Sequence, residues 1–211
     1  MIFELKQKKN KFLEETYKKS MKELNDFYDI DWAKQTPKVM IINNRETIDR
    51  LLGRKTEDWL VGWADFGNTL YLLNPLKYKT ESSHTYKKES YAMLVKHELS
   101  HLFFRVLIKQ GYTPIWLNEG VAIHLSGQNK FKKEIQEFKN FLNYYDEKGK
   151  GVYIESGFFI ERLVNKFGKD NLLKLLKSLK DIKNKQEFDV LFFKIFKFKL
   201  NYKEINKVYL K

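Results

Sequence analysis

A chain of 211 residues with 43% hydrophobic and 16% aromatic content is long enough to bury one sizeable core, with or without an N-terminal helical extension. It contains no cysteine, which excludes disulfides and thiolate metal sites and allows a reducing compartment. Its net charge of +13 admits nucleic acid, an anionic membrane surface or acidic peptides as partners. Among the 40 basic residues, however, arginine stands only at positions 45, 50, 54, 105 and 162, and specific phosphate recognition leans on arginine forks. The charge therefore reads as a solvated lysine surface, and nucleic acid is not the expected partner.

Taken from the N-terminus, residues 1–20 alternate apolar residues with lysine and glutamate and show no secretory apolar region. No run of about eighteen apolar residues occurs anywhere, so no membrane-spanning helix is expected. Both features are those of a cytoplasmic protein. Residues 3–28 carry Leu13, Tyr17, Met21, Leu24 and Tyr28 at helical spacing, which predicts an amphipathic helix followed by a connection to residue 37. The apolar run 39–42 predicts a buried strand, and 46–52 a short helix ended by Gly53. Residues 59–64 and 69–73 are the next strands, with hairpin-turn chemistry at 65–68 and a stop at Asn74-Pro75. The polar stretch 77–86 reads as a loop, and its His84 as a loop residue.

Residues 89–110 form a long apolar helix, with Gly111 as its stop and Pro114 beyond it. Its middle reads His97-Glu98-Leu99-Ser100-His101. Imidazoles four residues apart project from one helix face, so both ring nitrogens reach one metal ion. Glu98 is placed to take a proton from water rather than to ligate. A second motif, Trp116-Leu117-Asn118-Glu119-Gly120, opens another helix over 117–126. A carboxylate in so apolar a segment is costly to bury unless it meets a cation, and zinc wants a third protein ligand. His124 lies off the ligand face and reads as a residue that supports a ligand or the fold. Residues 131–145 read as a further amphipathic helix and 148–151 as a flexible break. Helices over 154–167, 172–179, 186–196 and 202–210 complete the chain.

The two motifs together resemble the gluzincin metallopeptidases, most closely the small peptidase MA-like domains related to the M1 aminopeptidase family. That resemblance implies His97, His101 and Glu119 as ligands of one zinc ion and Glu98 as general base. Seventeen residues separate His101 from Glu119; the M1 pattern has one more. Residues 153–168 and the later helices are similar to the family's tail, so the likeness covers about residues 38–211. It implies an α+β, zincin-like fold: a small mixed or antiparallel sheet over 37–76, zinc-site helices over 86–126 and a helical tail over 129–211. Residues 1–36 stand before it as a helix and connection. It also implies an edge strand beside the zinc helix, for which 69–73 is the candidate, and a tyrosine as second electrophile, for which Tyr153 is the candidate. The segment by which M1 enzymes grip a free amine, G-x-M-E-N, is not matched by residues 61–68. An endopeptidase, or a cleaver of one defined protein, is therefore expected over an aminopeptidase. Two other classes stay open: a catalytically inactive binding module of the same fold, and a basic nucleic-acid-associated protein with a structural metal.

Overall fold

The computed structural model describes residues 6–109, 111–142 and 150–209. Its first helix, α1 (Lys11–Tyr28), starts where Asn10 accepts a hydrogen bond from the Leu13 amide at 3.1 Å. Residues 6–10 are not helical, so the helix is shorter than periodicity suggests, and residues 1–5 lie outside the described residues. Helix α2 (Arg45–Leu52) starts at Asn44 in the same way and ends on Gly53 in the left-handed region.

Strands β1 (Lys38–Ile42), β2 (Gly62–Ala64) and β3 (Thr69–Leu73) form one mixed sheet in the order β1-β3-β2. β1 runs parallel to β3, and β2 antiparallel to it. Two expectations are corrected here. β3 is central, so it is not the edge; its Leu70, Leu72 and Leu73 are fully buried. β1 is an edge and mostly half-buried, not a buried strand. The strand expected at 59–64 shrinks to three residues for a clear reason. Arg45 collects the carbonyls of Glu57, Asp58 and Leu60, and the ring of His84 takes that of Trp59, so this backbone is bonded away from any ladder. His84 thus anchors the approach to β2 from a stretch that is not wholly loop, since α3 (Tyr78–Glu81) forms inside it.

Helix α4 (Lys88–Ile108) lies against the sheet, with Leu94 packed on Gly62 and Leu72. The Tyr91 hydroxyl donates to the Leu73 carbonyl at 3.0 Å, and the Tyr28 hydroxyl meets Ser100 Oγ at 3.0 Å. α1 is thereby bolted to the turn of α4 that separates the two histidines. The cap of α4 falls on Lys109 (φ 55°), not on Gly111.

Helix α5 (Ile115–Ser126) ends on Gly127 and lies tight on α6 (Lys150–Phe167). A Cβ on Gly120 would sit 2.8 Å from the Ser156 carbonyl oxygen, and one on Gly157 only 2.2 Å from Ile123 Cγ2. Two absent side chains thus set the spacing of this pair. Helices α7 (Lys169–Ser178), α8 (Lys185–Phe196) and α9 (Tyr202–Tyr209) close a core of Trp116, Phe138, Phe141, Phe159, Phe188 and Phe192.

The helix expected over 131–145 is absent from its described part. A 3₁₀ turn ends at Phe131 and residues 132–142 are irregular; 143–145 lie outside the described residues. Other elements supply the hydrogen bonds a helix would have made. Asn206 bonds both the amide and the carbonyl of Phe138, Glu155 accepts from the amides of Lys139 and Asn140, and the Tyr202 hydroxyl accepts from Leu142. Gly151 belongs to α6, not to a break. Among the described residues, no helix is long and apolar enough to cross a membrane.

Candidate metal centre

Two elements meet to build the centre. α4 presents His97 and His101 one turn apart, their Nε2 atoms 3.1 Å from each other and their rings nearly perpendicular. From α5, Glu119 places Oε2 3.4 Å from His97 Nε2 and Oε1 3.7 Å from His101 Nε2. These residues form a group whose ligating atoms all lie within 4.8 Å of one another. Zinc bonds of about 2.0–2.1 Å in tetrahedral geometry put ligand atoms roughly 3.3–3.4 Å apart. The observed separations bracket that spacing.

Hydrogen bonding makes the same case. The His101 Nδ1–H donates to Asn118 Oδ1 at 3.0 Å, which leaves a lone pair on Nε2 in the neutral ring. Among the described residues, buried His97 Nδ1 and Glu119 Oε2 have no hydrogen-bond partner. Of these two, only the Glu119 oxygen faces the histidine Nε2 atoms, and a buried carboxylate oxygen with no donor is costly unless a cation sits there. The donor set, two imidazoles and a carboxylate, suits zinc.

Glu98 is 6% exposed. Burial pushes its carboxyl up to about 7, with Glu119 adding to the rise and His101 and Arg105 opposing it. For Glu119, burial also favours the neutral form, but the two histidines prevail and hold its carboxyl below the usual range. Two carboxyls in one site are thus driven apart, one toward a proton-accepting role near neutrality and one toward permanent charge.

His97, His101 and Glu119 come together as the sequence anticipates, with Glu98 buried in the same turn of α4. His124 stays outside the group; burial lowers its pKa and Glu161 opposes that. Tyr153 stands in the first turn of α6, its ring 6.4 Å from that of Trp59 and its carbonyl accepting from the Lys132 ammonium.

Three contributors escape a reading of the motifs. Asn118 sits beside Glu119 in the quoted stretch, and the need of a ligating imidazole for an acceptor was a usable signal. Arg105 is one turn beyond His101; it donates to the Ala64 carbonyl at 2.8 Å and joins α4 to β2, the sheet edge on this side. Lys132, one lysine among many, carries no local signal. Burial lowers its pKa to about 8, and Glu119 opposes that.

Comparison with protein-family models, curated proteins and solved structures finds no match for this chain.

Proposed function

We propose that this chain is a zinc metallopeptidase with a zincin-like fold of the gluzincin type, hydrolysing internal peptide bonds or one defined protein. One observation carries the reading: two imidazoles and a distant carboxylate converge at tetrahedral spacing, with a second buried carboxyl one residue from the first imidazole. A closed structural site would use a fourth protein ligand, and among the described residues the group has three. The fold is consistent with this: a helix bearing the two histidines lies under a small sheet, and a helical part follows.

Zinc, when bound by His97, His101 and Glu119, supplies Lewis acidity toward a carbonyl and makes water acidic enough to lose a proton near neutral pH. The remaining work falls to the chain itself. Asn118 keeps the His101 ring in the ligating tautomer. Glu98 takes the proton from attacking water and returns it to the departing amine. β2 offers an extended peptide the outward backbone groups of Gly62, because the odd-numbered neighbours Val61 and Asp65 bond inward to β3 and Arg105 holds the Ala64 carbonyl.

Glu98→Gln tests the reading. Zinc content should match the native protein, while cleavage of a fluorogenic peptide library falls by about 10²- to 10⁴-fold. Undiminished cleavage in the zinc-loaded variant removes Glu98 as base, and native protein that takes up no zinc removes the metallopeptidase.

A further inference from the structure

Hydrolysis by this site places negative charge on the carbonyl oxygen as water adds, and a second donor is normally held there. Resemblance alone gives that part to Tyr153. The geometry points elsewhere: we propose that the Lys132 ammonium is the second electrophile, donating a hydrogen bond to the developing oxyanion, with Tyr153 serving to anchor it.

The proposal rests on the peptidase reading above and on how Lys132 is held. Gly127, the cap of α5, opens the 3₁₀ turn Gln128–Phe131, and the Lys132 amide closes it on the Asn129 carbonyl at 3.0 Å. Asn129 in turn donates to Glu161 of α6 at 2.8 Å. The lysine is therefore tied to the helix that carries Glu119 and braced against the helix that carries Tyr153. Its ammonium donates to the Tyr153 carbonyl, one turn before Ser156, and Gly120, the neighbour of Glu119, packs on the Ser156 carbonyl, so the lysine is held beside the part of α5 that carries Glu119. An ammonium has three donors, and one of them goes to the Tyr153 carbonyl.

Arg105, the other cation near the cluster, is committed to the Ala64 carbonyl. Lys132 joins the two histidines in favouring the charged form of Glu119. The step balances without a co-reactant. The water oxygen bonds to the carbonyl carbon, the π pair moves to the carbonyl oxygen, and Glu98 takes the water proton. The pair then returns, the C–N bond breaks, and Glu98 protonates the leaving nitrogen. Lys132 keeps all its protons throughout. Half-burial between two helices makes such a donor stronger than an exposed lysine, because water competes less for it.

The test uses the full chain loaded with zinc. Lys132→Met should retain native zinc content, lose about 10²- to 10³-fold in kcat on a fluorogenic peptide library and keep KM within about threefold. Its affinity for an N-phosphoryl-leucyl dipeptide, a tetrahedral anion, should drop about 100-fold by calorimetry, while affinity for the unmodified dipeptide stays put. Lys132→Arg, which keeps the charge and donors, should recover at least about tenfold of the lost kcat, and Tyr153→Phe should leave the tetrahedral affinity intact. A Met variant that cleaves at the native rate overturns the assignment. So does one that loses zinc together with activity, since Lys132 would then act on the Glu119 ligand, and so does loss of tetrahedral affinity in Tyr153→Phe but not in Lys132→Met. Native protein that binds zinc yet cleaves no peptide removes the peptidase reading itself.

Discussion

Helix α5 borders two regions built on opposite rules. On one side Asn118 and Glu119 face the histidines of α4, where buried polar atoms outnumber their partners. On the other side Trp116 is packed edge-on against Phe141, Phe159 and Phe188 in a core of apolar rings. The aromatic region stabilises the fold by burial; the polar region spends some of that stability to hold chemistry in place. A ligand group of this kind needs a rigid support, and the Gly120 and Gly157 contacts press α5 onto α6 closely enough to give it one.

The comparison can be broken or sharpened by substitutions on each side. The largest expected effect is in the aromatic region. Phe159→Ala removes a fully buried ring and should lower unfolding free energy by about 3–5 kcal/mol in chemical denaturation, at every pH. A change of opposite sign is expected at the polar centre. The native state of the metal-free protein should hold the Glu98 proton up to about pH 7, whereas the unfolded chain releases it near the ordinary carboxyl value of 4.5. Raising pH through that window therefore destabilises the native state. Relative to Glu98→Gln, the native chain should lose roughly 3 kcal/mol between pH 4 and pH 8, with Glu119 adding to the effect and His101 and Arg105 limiting it. Parallel stability curves for the two proteins would show that the centre is not strained by this carboxyl. Smallest is Asn118→Ala, which frees the His101 ring and should weaken zinc affinity by about 10- to 100-fold in a chelator competition. Equal affinity would mean that the ring needs no partner to stay in register.

Much of the site was legible because it is written at short range. The i, i+4 histidines fall on one face of any helix, and the apolar spacing around them made a helix the only economical reading. Capping was legible in part for the same reason: Gly53 acts within a few residues of itself, whereas the stop read at Gly111 falls on Lys109 instead. Illegible were the features that depend on distant partners. Residues 132–142 have helical periodicity, yet Asn206, Glu155 and Tyr202 claim their backbone. The strand order was equally hidden, because alternation marks which face of a strand is buried and says nothing about its neighbours.

From the sequence alone follow the two imidazoles on one helix, the carboxylate that opens the next, and the mixture of a small sheet with many helices. These are consequences of local periodicity and of the cost of burying charge in apolar surroundings. Tertiary structure alone decided that β3 is central, that Arg105 binds the edge strand, and that a lysine thirteen residues past Glu119 is held at the Tyr153 carbonyl of α6. Such pairings cost chain entropy and are settled only when the whole core closes, which no stretch of local pattern records.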